Sequence, residues 1–443
     1  MDCESTFKGK RVTFMGLGLL GRGVGDAEFL AQCGAQVLVT DKKNETELAE
    51  SVAKLKQYPN ITFHLGGHDI GDFTQCDMLL KAAGVPLNSP EIAAARAAGV
   101  SIAMSTALFA KYAMEAGAKV VGITGTRGKT TVSHMIQYSL IRANKRTVLG
   151  GNIRGVSTLA MLPQIKKGDT AVLELDSWQL QGFGDLKISP NISVFSNLMP
   201  DHQNYYPDME TYFADKANIF RFQKMGDVLI VSASIADRIR SEHPPQDPII
   251  PEMIPKDWDL QIIGAHNREN ASLAAAALSA LGLTEQEIKD GLESFEGVEG
   301  RLQLVHEMHG VKIYNDNNAT TPEATIAALR ALGKDTTLIT GGSEKGLELK
   351  ELVSEIQKSV SRVIVLTHPD YAGSVRLKKD LDAAGITYEQ AHNLKSAVAD
   401  ALRHTKRGSI LFSPAFASFG MFKNEYERND QFLEIIRQTG GAA

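Results

Sequence analysis

Residues 119–142 read KVVGITGTRGKTTVSHMIQYSLIR. A β-branched apolar run ends at a glycine-rich turn, and a helix-patterned stretch opens directly behind it. Within it, Gly125-Thr126-Arg127-Gly128-Lys129-Thr130-Thr131 keeps the G-x-x-G-K-T core of a phosphate loop. In a strand–loop–helix setting, backbone N–H groups and the helix dipole cradle phosphates. Lys129 can then reach the outer phosphates, and the Thr130 hydroxyl can hold magnesium. The match is not a strict Walker pattern, because Ile123 stands where the first glycine belongs. Such a site also needs a carboxylate at the tip of a neighbouring strand to position the metal. Glu174, in AVLELD (171–176), fits that place, with Asp176 as its competitor.

Upstream, RVTFMG (11–16) reads as a strand leading into Gly16-Leu17-Gly18-Leu19-Leu20-Gly21. Asp41 ends the next strand, AQVLVTD (35–41), 20 residues after Gly21. This G-x-G-x-x-G with a following acid is a diphosphate-binding fingerprint. Taken alone it admits an NAD(P) site, a site for another nucleotide diphosphate, or a structural turn. ITFHLG (61–66) and DMLLKAAG (77–84) read as further strands of a parallel sheet with crossover helices.

Downstream, TAVLELDS (170–177) and ISVFSNL (192–198) are strands, and a helical region follows from METYFADKANIF (209–220). HPPQDPIIPEMIP (243–255) reads as an exposed connector. AHNRENASLAAAALSAL (265–281) is helical. A third unit opens near Gly300, with strands VKIYND, TTLITGG, RVIVLTH and SILFSP. The expected architecture is three α/β domains. They are Rossmann-like over 1–104, P-loop ATPase-like over 105–299 and Rossmann-like over 300–443.

Composition agrees with this length. The 443 residues are 43% apolar and 22% charged, which excludes a disordered or collagen-like chain. The net charge of −5 argues against a nucleic-acid-binding surface. No apolar run reaches the length of a membrane span, and the N-terminus lacks a signal-peptide core, so a cytoplasmic protein is expected. Cys3, Cys33 and Cys76 form no C-x-x-C and indicate neither a disulfide framework nor zinc.

Eleven blocks, the two loops among them, occur in one order: GLGLLGRG, GITGTRGKTT, GGNIRG, LELDSWQL, PDHQNYY, ADKANIF, GAHNRENA, VEGRLQ, YNDNNATTPEA, TGGSEKG and SPAFASFGMFKNEYERND. In these the chain resembles the Mur ligases, most closely those that add D-glutamate to UDP-N-acetylmuramoyl-L-alanine in peptidoglycan precursor synthesis. The resemblance implies an ATP-dependent ligase working through an acyl phosphate. It implies ATP and one or two magnesium ions as cofactors, UDP-N-acetylmuramoyl-L-alanine and glutamate as substrates, and a monomer. It turns the first glycine loop from NAD to the UDP end of the substrate. Gly18, Leu19, Leu20, Thr40, Asp41, Lys42, Gly84, Asn88 and Asn152 would hold that substrate.

Gly125 to Thr131, Asn270, Arg301 and Asp316 would contact ATP. Lys129, Glu174, His202 and Lys216 would be catalytic. Thr130, Glu174, His202 and Lys216 would surround the metal, with Lys216 carbamylated. Thr320, Lys345 and Ser418 would surround the amino acid. Two positions depart from the pattern. Asn318 replaces a lysine, and Glu425 replaces the phenylalanine after F-K-N. They leave an L-glutamate-adding variant or a non-catalytic nucleotide-binding homologue as alternatives. A side chain such as Glu425, beside a site for a dicarboxylic acid, is expected to point away or to pair with Lys423 or Arg428.

Overall fold

The computed structural model describes residues 6–19, 21–201 and 205–440. The predicted sites Leu20 and His202 lie outside the described residues. Two compact units are present, Met1–Ile254 with Asn270–Leu292, and Pro255–Glu269 with Glu293–Ala443.

The first unit holds two parallel sheets. One is built from β1 (Arg11–Met15), β2 (Gln36–Asp41), β3 (Ile61–Leu65), β4 (Met78–Lys81) and β5 (Ser101–Ala103), in the order β3-β2-β1-β4-β5. The other contains β6 (Lys119–Thr124), β7 (Thr147–Gly151), β8 (Thr170–Glu174), β9 (Ile192–Phe195) and β10 (Val228–Val231), in the order β10-β9-β6-β8-β7. In each sheet the first strand is central and the chain winds outward to both sides. Ligands of such sheets sit where the winding reverses, beyond the carboxyl ends of the strands. Those ends are where both glycine loops begin.

The second unit carries β11 (Gln303–Met308), β12 (Val311–Asn315), β13 (Thr336–Thr340), β14 (Val360–Leu366), β15 (Glu389–Ala391) and β16 (Gly408–Phe412), in the order β11-β12-β16-β13-β14-β15. Only β11 runs antiparallel, against β12. Strand alternation divides its core in two. Leu338, Val363, Val365 and Leu411 face one apolar cluster, while Ile339, Ile364, Leu366, Ile410 and Phe412 face the other. A sheet apolar on both faces needs cover on both, and helices supply it.

β5, β7, β10, β11 and β15 escaped the sequence reading. β7 (TVLGG) ends in two glycines, β5, β10 and β15 are short, and β11 is a half-exposed edge. The proline-rich connector is also more than a connector. Ile249 N donates to Leu229 O (2.8 Å) and Val231 N to Ile249 O (2.9 Å), extending the sheet edge. Among the described residues no helix is long and apolar enough to cross a membrane.

The two sheets of the first unit share one apolar core, running from Phe14 and Phe109 to Leu173 and Phe213. The helix after the first glycine loop, Arg22–Gln32, comes so close to the segment after β7 that a Cβ on Gly25 would lie 2.7 Å from Ser157 Cβ. There Ser157 Oγ donates to Asp26 Oδ1 at 2.6 Å. Burial raises the Asp26 carboxyl from 3.8 to about 6. A carboxyl with a raised folded pKa costs stability only where it must ionise. The cost is absent below about pH 4 and complete above about pH 6. Asp26→Asn is therefore expected to raise thermal stability at pH 7.5, by up to about 2–3 kcal/mol. The gain should vanish at pH 4, as melting curves across that range would show.

Candidate active site

The phosphate loop leaves β6 between β8 and β9 and turns on Gly125 (φ 141°) and Gly128 (φ 85°). Neither turn has room for a side chain. A Cβ on Gly125 would lie 2.0 Å from Ser196 Oγ, and one on Gly128 2.4 Å from Asn270 Oδ1. The end of β9 pins the loop. Thr126 N donates to Asn197 O (3.0 Å), Arg127 N to Asn197 Oδ1 (2.8 Å), and Ser196 Oγ to Arg127 O (2.5 Å). Lys129 opens the helix Lys129–Arg142 and folds back over the loop, with Nζ donating to Gly125 O (3.1 Å) and Thr126 O (3.2 Å). Thr130 is half-buried in the first turn, while Thr131 is buried.

Lys216 lies on the helix Met209–Ala217 and is 1% exposed. Its Nζ donates to Gly125 O (2.9 Å) and Thr124 Oγ1 (3.3 Å) and sits 4.8 Å from the centre of the Tyr212 ring. Desolvation, reinforced by the positive charge of Lys129, holds its amine well below the ordinary lysine pKa. Glu174 is 4% exposed at the tip of β8, and its Oε2 is buried with no hydrogen-bond partner among the described residues. Such an orphaned carboxylate oxygen fits a cation. Asn152 turns in from the end of β7. Its N donates to Glu174 O (2.7 Å) and its Nδ2 reaches Glu174 Oε1 (3.4 Å).

The first glycine loop borders a cavity of about 230 Å³. Gly18, Leu19 and Gly84 line it, together with Lys81, Thr106 and Gln179. Gly18 N donates to Asp41 Oδ2 (3.2 Å), which ties the loop to the end of β2. Thr40 is buried, its Oγ1 2.8 Å from His68 Nδ1. Lys42 and Asn88 are exposed and do not line the cavity.

In the second unit, Asp316 is buried at the end of β12 and accepts from Leu302 N (3.0 Å) and Ser413 Oγ (2.8 Å). Burial raises its carboxyl to about 7, and the charge of Arg301 opposes that rise. Lys345 Nζ donates to Thr320 Oγ1 (3.0 Å). Ser418 is buried, and its neighbour Ala417 pairs with Ser343, lacing that segment to the loop that carries Lys345. Asn318 helps shape the loop. Its Oδ1 accepts from Asn317 Nδ2 (3.1 Å) and its Nδ2 reaches Glu299 O (3.4 Å). Arg428 is fully buried and donates to Asn317 Oδ1 and O (both 2.8 Å) and to Phe416 O (3.3 Å). Among the described residues Glu425 forms no ion pair with Lys423 or Arg428. Its charge nevertheless raises the Arg428 pKa against the burial that lowers it to about 10.

Family comparisons agree with this geometry. The MurD-like N-terminal domain of Mur ligases matches residues 10–104, the Mur ligase middle domain 123–250, and the Mur ligase glutamate ligase domain 300–416. The UDP-N-acetylmuramoylalanine–D-glutamate ligase of Roseiflexus sp. (strain RS-1) is 34% identical over 464 residues, spanning 97% of this chain and 98% of that protein. The chain belongs to the Mur ligase family. The ligase of the same name from Streptococcus agalactiae is 32% identical across the full length of both chains. Solved structures share the Mur ligase fold at lower identity. The UDP-N-acetylmuramate–alanine ligase of Thermotoga maritima superposes with a TM-score of 0.62 at 19% identity, covering 97% of this chain and all of that one. The MurF ligase of the same organism, in complex with ADP, gives 0.59 at 16%, covering 98% and 96%.

Sequence reasoning missed Lys81 and Asp26. Lys81 ends an otherwise apolar strand, MLLK, and is 2% exposed. A lysine closing a fully buried strand was the available signal. Its Nζ donates to Val85 O (3.0 Å) and Gln181 Oε1 (3.4 Å), and burial lowers its pKa to about 8. Gly151 also went unnoticed, although it sets Asn152 against Glu174. Its φ is 88°, and a Cβ there would lie 2.0 Å from Glu174 O. Gly151→Ala is expected to destabilise this Mur ligase by about 2 kcal/mol or more, with a lowered urea midpoint and an unchanged m-value.

Proposed function

We propose that this Mur ligase joins D-glutamate to UDP-N-acetylmuramoyl-L-alanine at the expense of ATP. The observation that carries this reading is the end-to-end likeness to the D-glutamate ligases. The domain roles follow it: residues 1–104 take the UDP moiety, 105–299 take ATP, and 300–443 take the amino acid and the rest of the nucleotide. The enzyme acts as a monomer in the cytoplasm, where ATP and UDP-activated sugars are available.

The chemistry has two steps. A substrate carboxylate oxygen attacks the γ-phosphorus of ATP in line, the bond to the bridging oxygen breaks, and ADP leaves an acyl phosphate. The glutamate amine then attacks the acyl carbon, phosphate departs, and the nitrogen loses a proton. Lys129 holds positive charge where the transferring phosphoryl group gains negative charge. Gly125 and Gly128 let backbone approach the phosphates without obstruction. Thr130 and Glu174 would hold magnesium, which supplies charge neutralisation when bound.

Lys216 is read as a carbamate. A neutral amine adds to carbon dioxide, the nitrogen loses a proton, and a carboxylate results. Burial that lowers the Lys216 pKa favours the addition, and the anion would suit a cation-rich site. Thr320, Lys345 and Ser418 would hold glutamate through one cation and two hydroxyls. Asn270, Arg301 and Asp316 would contact the nucleotide.

Phosphate release in the presence of ATP, magnesium and UDP-N-acetylmuramoyl-L-alanine tests the reading. D-Glutamate should support turnover, with L-glutamate, lysine and diaminopimelate far behind. Lys129→Ala should lower kcat about 100-fold or more. Faster release with lysine than with D-glutamate, or wild-type turnover without Lys129, would contradict it.

A further inference from the structure

The cavity beside the first glycine loop is electrostatically lopsided. Two cationic side chains line it, Arg22 and Lys81, against one carboxylate, Asp26. Lys81 is engaged, its amine held by Val85 O, Ala82 O and Gln181 Oε1. Asp26 is also engaged, hydrogen-bonded by Ser157, and the Arg22 charge four residues earlier on the same helix acts on it without a hydrogen bond to the Arg22 Nε. The Arg22 Nε is buried and has no hydrogen-bond partner among the described residues. Leaving a buried cationic donor unpaired is costly unless a ligand completes it.

Arg22 is also at an unfavourable place in its own helix. It is the first residue of the helix Arg22–Gln32, whose N-cap is Gly21 with no side-chain cap, and that first turn contains no acidic residue. A cation there adds to the positive end of the helix dipole instead of offsetting it. Arg22, Lys81 and the helix end therefore focus positive potential on one cavity, with Gly18 and Gly23 on its wall. A ligand bearing two adjacent negative charges would relieve both the dipole conflict and the orphaned donor.

We propose that Arg22 grips the diphosphate of the UDP-linked substrate from its side chain and sets how tightly this enzyme holds that substrate. The proposal rests on the function given above and adds to it a residue outside the loop backbone. Arg22 is a binding residue with no part in phosphoryl transfer, so its loss should act on KM for the UDP substrate and leave kcat and the KM for ATP near wild type.

Calorimetry with UDP, uridine and inorganic pyrophosphate tests it on the full chain. Wild-type protein should bind UDP well above uridine. Arg22→Met should weaken UDP and pyrophosphate about tenfold to a hundredfold, leave uridine unchanged, and flatten the salt dependence of UDP binding. Arg22→Lys should fall between, since it keeps the charge and loses the fork. Equal UDP affinity in wild type and Arg22→Met, or an equal loss for UDP and uridine, would overturn the role of Arg22 while ATP-driven ligation stood. An absence of both UDP binding and ligation in the wild type would instead overturn the function on which the proposal rests.

Discussion

A lysine amine removed from water and pressed against a phosphate loop is the constraint around which the first unit is organised. Lys216 Nζ donates to the carbonyl of Gly125, the same carbonyl that accepts from Lys129. Two ammonium groups cannot comfortably share one acceptor in a desolvated site. The arrangement stands because burial pulls the Lys216 pKa well below the ordinary lysine value, which eases the conflict with the Lys129 cation. The glycine at 125 is required by the same crowding, since Ser196, Asn197 and Lys216 all close on that residue.

Sheet topology brings these groups together. β6 is central and its neighbours are β8 and β9, so the phosphate loop, Glu174 and Ser196 emerge side by side from three adjacent strand ends. β7 delivers Asn152 to Glu174 from the next place along. In the second unit the same logic gathers Asp316 from β12, Ser413 from β16 and, through the loop after β13, Lys345. Residues distant in sequence thus become neighbours because parallel strands all end on one edge.

The phosphate loop, the glycine loop and the α/β class were legible because each depends on local pattern: glycine spacing, an apolar strand before it, a helix after it. Glu174 was legible for a similar reason, as an acid ending an apolar strand. Lys216 was not legible from its own surroundings, since a lysine on a helix is ordinarily solvated and only the ADKANIF block singled it out. Arg22, Lys81 and Asp26 were missed because their significance lies in a cavity formed by segments far apart in the chain. Among strands, β7 and β11 were missed where glycine or an exposed edge blurs apolar alternation. At the two departures, Asn318 became intelligible only once its amide was seen joining Asn317 to the Glu299 carbonyl.

The chemistry of the first unit is tested most directly at the Lys216 amine. The direct measurement is carbon NMR of the intact protein equilibrated with ¹³C-bicarbonate. A carbamate resonance should be present in the wild type and missing in Lys216→Ala. An active wild-type enzyme with no carbamate resonance, or with one that survives Lys216→Ala, would contradict the account.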